Sequence, residues 1–203
     1  MLAHGLGLSD ATTLVDAAKY GPHLLAPTAT DLAKYGKLGE AFAGFHSDLN
    51  FLSVHGRSRF PGLHIWARNT GNKLEIKLPP GHLLVQAGKQ LEHLTGGLIL
   101  AGYHEVVCTE RTLAALERRR ADPATAERPQ IRISSTLFHH LSSDYALKPS
   151  EFRRAVAPRS EAVRAKVAEC EAGAAGAEYE DGKLVGDLVL DELKSISLAA
   201  AAA

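Results

Sequence analysis

Phe45-His46-Ser47-Asp48-Leu49 sets an imidazole and a carboxylate two positions apart in a run of strand-forming residues. On an extended strand, side chains alternate between faces, so His46 and Asp48 project to one side while Ser47 points to the other. A nitrogen donor beside an oxygen donor makes two corners of a metal site. A second imidazole, His104, stands 56 positions after Asp48 in Ala101-Gly102-Tyr103-His104-Glu105-Val106-Val107, which also reads as a strand. If the sheet folds back on itself, His104 completes a set of two histidines and one carboxylate. Such a set covers one face of an ion and leaves positions open for exchangeable ligands. It is the facial donor arrangement of non-haem iron(II) sites that use O₂.

A second constellation is Arg132-Ile133-Ser134. The same two-residue rule puts the guanidinium and the hydroxyl on one face. A guanidinium fork grips a carboxylate through two parallel hydrogen bonds, and a hydroxyl adds a third donor. Arg111 lies closer to His104 in sequence and is a rival anchor without the neighbouring serine. The remaining polar residues read as structural. His55, His64, His82 and His93 are expected to be solvated strand or turn histidines, and Phe60 and Trp66 core residues. Asn50 and Phe51 follow the His-x-Asp pair and are expected to touch a substrate. His139 and His140 are adjacent on a strand, face opposite sides and cannot both hold one ion. Gly96-Gly97 is too short for a phosphate loop. Arg118-Arg119-Arg120 reads as a solvated helical triplet.

These groups need a scaffold of strands. Short β-type runs separated by Gly, Pro and Asn occupy Phe45–His55, Leu63–Arg68, Lys73–Leu78, His82–Ala87, Leu98–Thr109 and Ile131–His140. An earlier strand at His23–Ala26 is expected to end before Pro27. Many short strands at close spacing indicate a sandwich or barrel. Residues 10–20 read as a short helix closed by Gly21-Pro22, and residues 110–127 as a helix and loop inserted between strands. Residues 150–172 read as helical, with Ser160 as a cap before Glu161. Residues 173–182 are Gly/Ala-rich and expected to be mobile, and the run Ala199–Ala203 is left out of the fold argument. The expected organisation is one domain over 1–203, with a core at 22–143 and a helical C-terminal segment at 149–203.

Four segments together resemble the isopenicillin N synthase-like group of iron(II)/2-oxoglutarate-dependent dioxygenases: His46-Ser47-Asp48, Leu83 to Gly97, Gly102-Tyr103-His104-Glu105-Val106-Val107, and Arg132-Ile133-Ser134. The resemblance covers about half the chain, and the motifs keep their order. It implies a mainly β fold with flanking helices, a double-stranded β-helix or cupin-like jelly roll. It also implies iron(II) on His46, Asp48 and His104, 2-oxoglutarate as cosubstrate with its far carboxylate on Arg132 and Ser134, and O₂ as oxidant. The implied reaction oxidises, usually hydroxylates, a C–H bond of a small molecule and releases succinate and CO₂. The chain departs from the group in four places. The gap from His104 to Arg132 is longer, Lys89 stands where the group has an aspartate, no Asn-x-Tyr element precedes His46, and the N-terminal helical region that helps cover the sheet in the group is expected to be short here. Two other readings use the same residues: an isopenicillin N synthase-like oxidase that dispenses with 2-oxoglutarate, and a jelly-roll binding module without activity.

Composition bounds the partners. The 203 residues carry 23 basic and 23 acidic side chains, a formal net charge of zero. Nothing attracts a polyanion, so nucleic acid is not an expected partner. No run of 18 apolar residues is long enough to span a bilayer, and Met1–Ser9 lacks the pattern of a signal peptide. Cys108 and Cys170, 62 positions apart, do not form a disulfide framework, which points to a reducing cytoplasm. The substrate and the oligomeric state are not legible.

Overall fold

A computed structural model describes residues 1–172 and 179–195. Two four-stranded antiparallel sheets dominate it. The first has the order β1-β8-β3-β6 and the second β2-β7-β4-β5. The strands are β1 (Leu24–Asp31), β2 (Ala41–Ser47), β3 (Leu52–His55), β4 (Leu63–Trp66), β5 (Lys73–Glu75), β6 (Leu84–Ala87), β7 (Tyr103–Val107) and β8 (Ile131–His139). Helices flank them: α1 (Leu2–Leu6), α2 (Thr13–Ala18), α3 (Leu32–Tyr35), α4 (Lys89–Leu94), α5 (Glu110–Ala121), α6 (Pro149–Val156), α7 (Glu161–Ala172) and α8 (Val185–Ser195). No helix of the described residues is long and apolar enough to cross a membrane. Cys108 and Cys170 are free.

Period-two alternation is clearest on β8, where Arg132, Ser134, Thr136 and Phe138 turn inward while Ile131, Ile133 and Leu137 face out. β8 pairs along its length with β1, from Leu24 opposite Phe138 to Asp31 opposite Ile131. The expected stop before Pro27 is corrected here, because Pro27 sits inside β1 opposite Ser135. β1 is an edge strand, and a missing N–H on an edge costs no ladder bond.

The run Phe45–His55, read as one strand, is two strands in different sheets. A turn over 48–51 separates β2 from β3 and carries the chain from one sheet to the other. The cause lies 40 residues on, in α4, a helix too short for the sequence periodicity to reveal. The first N–H groups of a helix have no partner inside it. Here Lys89 N–H donates to Asp48 O (2.8 Å) and Gln90 N–H to Asn50 O (3.2 Å), while Gly88 N–H donates to Phe51 O (3.1 Å). The 48–51 turn therefore caps α4 with its carbonyls, and α4 holds the turn.

Apolar packing lies at the two ends of β8. Phe51, Leu91, Leu94, Leu141, Leu147, Phe152, Val156, Val185 and Leu188 bury one another where α4, α6 and α8 meet the turn. A smaller cluster of Leu32, Phe60, Ala115 and Leu116 joins α3 to α5. The inserted helix α5 begins on a capping box in which Thr109 and Thr112 exchange side-chain bonds with each other's backbone N–H. Ser160 caps α7 as expected, accepting from Val163 N–H at 3.2 Å. Of the segment expected to be mobile, residues 173–178 lie outside the described residues, as does the run 199–203. Tyr179 within the expected mobile segment is instead anchored, donating from its hydroxyl to Glu92 (2.9 Å).

A Cβ on Gly88 would stand 2.0 Å from Asn50 O and 3.1 Å from Asp48 O. Gly88→Ala is expected to cost about 1–3 kcal/mol, read by denaturant unfolding, and to weaken divalent-metal binding by displacing Asp48. Gly5→Ala in α1, where a Cβ meets nothing within 4 Å, should be neutral or stabilise by up to about 1 kcal/mol.

Candidate active site

Strand pairing brings the expected donors together. His46 on β2 lies directly opposite His104 on β7 in the ladder, and their ring centroids are 4.2 Å apart. Asp48, one residue past the end of β2, closes the group. Its Oδ1 is 3.4 Å from His46 Nε2 and 3.8 Å from His104 Nε2. One ligand atom from each of the three lies within 4.8 Å of the others. Adjacent ligands of an octahedral ion with bonds of about 2.1 Å are roughly 3 Å apart, so a small closure of the three would seat one cation.

Each donor is oriented by a neighbour. His46 Nδ1 lies 2.7 Å from Gly44 O. A carbonyl only accepts, so Nδ1 carries the hydrogen and Nε2 keeps its lone pair for a metal. Asp48 Oδ2 accepts a short hydrogen bond from Ser53 Oγ, which lies 3.2 Å from Asn50 Oδ1. His104 Nδ1 is 2.8 Å from the Gln86 carboxamide, whose N–H donates to Gly102 O at 2.7 Å. A Cβ on Gly102 would stand 2.8–3.0 Å from the Gln86 side chain and displace it from His104.

Proton affinities follow from this packing. Burial alone would raise Asp48, but hydrogen bonds from His46 and Ser53 and the nearby imidazoles outweigh it and hold the carboxyl below its ordinary value. The Asp48 hydrogen bond raises His46. His104 touches the same carboxylate yet moves the other way, to about 4, because burial dominates. His104 is 5 % exposed and Asp48 6 %, whereas His46 is half-exposed.

The triad opens on a cavity of about 500 Å³ between the sheets, which Arg132 and Ser134 also line. Arg132 is 5 % exposed. Among the described residues its guanidinium makes one hydrogen bond, a long one from Nε to Pro61 O (3.4 Å), and no carboxylate pairs with it. Desolvation lowers it to about 10, so it remains charged at neutral pH. Arg111, the rival anchor, lines the cavity but is tied to Glu75.

Several readings need correction. His55 is not a solvated histidine; it is buried on the inner face of β3 and lines the cavity. Its Nδ1 lies 3.2 Å from Thr136 Oγ1 and its Nε2 is buried without a partner among the described residues. The strand alternation Leu52-Ser53-Val54-His55 carried that signal, since Ser53 and His55 share the inward face. Asn50 and Phe51 do not reach the cavity. Asn50 braces Ser53, and Phe51 sits in the helical core. Trp66 is half-buried beside Phe45 rather than core, while Phe60 is buried as expected. Lys89 lies 3.8 Å from Glu92. Glu92 was not singled out in the sequence, yet its buried carboxylate accepts from Ala101 N–H (2.6 Å) and fixes the approach to β7. His23 stacks on His139 and not on the triad.

No protein-family model matches the chain, and no curated protein matches its sequence. Solved structures do match in shape. A protein from Caulobacter crescentus assigned to the 2OG-Fe(II) oxygenase family superposes with a TM-score of 0.67 at 22% identity, over 96% of this chain and 52% of that one. A full-length Neurospora crassa protein solved with alpha-KG gives 0.64 at 16% identity, over 96% and 50%. The dioxygenase for auxin oxidation from Arabidopsis thaliana, solved with 2-oxoglutarate, gives 0.56 at 21% identity, over 74% and 49%. The chain spans about half the length of these structures and has their fold.

A metal at this site competes with protons for His46, whose proton affinity is raised, and far less for His104, which is uncharged above about 4. Divalent-metal affinity should therefore fall, and the protons released per ion rise, as pH drops from about 8 to about 6. Calorimetry in buffers of different ionisation enthalpy measures this. His46→Ala should flatten the dependence, and Asp48→Ala should abolish binding.

Proposed function

We propose that the chain is a mononuclear non-haem iron(II), 2-oxoglutarate-dependent oxygenase that oxidises, most simply hydroxylates, a C–H bond of a small molecule. The observation that carries the reading is Arg132, a buried guanidinium without a carboxylate partner among the described residues, lining the same cavity as three converging metal donors. Burying an unpaired charge is costly, and a dianionic cosubstrate would relieve that cost. The two sheets then read as the double-stranded β-helix of the isopenicillin N synthase-like group.

The donor set suits iron(II): two imidazole nitrogens and one carboxylate oxygen on a single face. Bound iron(II) with 2-oxoglutarate supplies the O₂-dependent oxidation, with succinate and CO₂ released. The protein's part is positioning and exclusion of water. His46, Asp48 and His104 hold the ion, the first through Nε2 because Gly44 fixes the hydrogen on Nδ1. Arg132 grips the far carboxylate of the cosubstrate, and Ser134, two residues along β8, adds a hydroxyl donor. β1 turns Ala26, Thr28 and Thr30 toward the cavity and offers no amide or phenol there.

The same site could serve an oxidase that binds its substrate carboxylate on Arg132 without 2-oxoglutarate. An inactive module is less consistent with a buried guanidinium and a buried carboxylate that do not pair with each other. Anaerobic addition of iron(II) and then 2-oxoglutarate should produce the charge-transfer absorption of the bound pair. Turnover with a substrate should yield stoichiometric succinate. Absence of that absorption in the native chain would overturn the reading. Arg132→Met should weaken 2-oxoglutarate binding about a hundredfold or more, yet leave the metal-free chain as stable or more stable by thermal unfolding, since it removes an uncompensated buried charge.

A further inference from the structure

The cavity holds more positive charge than the proposed chemistry uses. Asp48 is the one acidic side chain among the described residues lining it, against Arg57, Arg59, Lys77, Arg111 and Arg132. With iron(II) bound, Asp48 leaves one positive charge at the metal. 2-Oxoglutarate brings two negative charges, and Arg132 restores neutrality. Arg111 is balanced by Glu75. Arg57, Arg59 and Lys77 remain; all three are exposed, and among the described residues none of them has an acidic or hydrogen-bonded partner. Arg57 and Arg59 stand two apart in the segment between β3 and β4. Lys77 follows β5 between Ile76 and Leu78, which line the cavity with it. Leu63 is tied to that segment by the Ile76 N–H bond to its carbonyl, 2.9 Å, and extends the apolar wall.

We infer that Arg57, Arg59 and Lys77 form a subsite for the anionic group of the substrate, so that the oxidised compound is an amphipathic small molecule with an apolar body and a carboxylate, phosphate or sulfate end. The inference rests on the oxygenase reading for the bound cosubstrate but not for the charge at the rim. An apolar body lies along Leu63, Ile76 and Leu78, while the anion meets the three cations. The field of three like charges around a cleft with low-dielectric walls also draws such a substrate in.

The test uses probes matched in their eight-carbon chain: octanoate, octyl phosphate and octyl sulfate against neutral octanamide. Each is titrated calorimetrically into the chain loaded anaerobically with iron(II) and excess 2-oxoglutarate, and separately into the metal-free chain. At least one anion should bind about tenfold more tightly than octanamide, equivalent to about 1.4 kcal/mol. That preference should fall below about twofold when Arg57→Ala, Arg59→Ala and Lys77→Ala are combined, while octanamide affinity is unchanged. Raised salt should narrow it. The headgroup preferred identifies which anion the subsite takes. Equal binding of all four probes by the native chain, or a preference that survives the triple substitution, overturns the subsite. Loss of the charge-transfer absorption alone overturns the oxygenase reading and leaves the anion preference to be read from the metal-free titration.

Discussion

The arrangement depends on a reciprocal cap. A strand leaving one sheet turns over 48–51 to enter the other, and the carbonyls of that turn satisfy the N-terminal N–H groups of α4. Neither element is self-sufficient: a six-residue helix is too short to hold itself in water, and a turn with inward-facing carbonyls needs donors. Together they fix Asp48 at the corner where the sheets meet. The absent side chain of Gly88 lets the two backbones approach. Everything the site does with a carboxylate beside two imidazoles follows from that corner.

Around it, the two histidines are set by a different device. His46 and His104 are cross-strand partners, so the β2–β7 ladder sets their distance and the register sets their common face. Register shifts in β2 before His46 re-aim the strand, a familiar role of bulges near functional sites. Asp48 thus acts on two imidazoles in different environments, and their proton affinities diverge: the exposed ring is raised, the buried one lowered to about 4. At neutral pH the buried ring carries no charge, and the exposed one is where protons and metal compete.

The polar groups inside the sandwich satisfy one another only in part. Asp48 is held by Ser53 and the two imidazoles, but among the described residues Arg132 has no carboxylate and the Nε2 of His55 no hydrogen-bond partner, although both residues border the same cavity. The apolar packing that stabilises the chain lies instead at the two ends of β8. That division leaves the middle of the fold polar, hollow and complementary to ligands rather than to itself.

Residues linked by short-range periodicity were legible in the sequence. The His46/Asp48 pair, the shared face of Arg132 and Ser134, most strands, the inserted helix after Thr109 and the Ser160 cap all follow from alternation and capping, which depend on near neighbours. Alternation at His55 does not say which face is inward. Only the sheet order makes β1 an edge that accepts Pro27, and the break between β2 and β3 is held by a helix 40 residues away. Which donors exist, and which of them share a strand face, can be read from the order of residues. That the distant imidazole meets the pair, that Arg132 is buried without a counter-ion among the described residues, and that Asn50 and Phe51 turn away emerge in three dimensions alone, because long-range pairing and burial depend on parts of the chain that no local pattern connects.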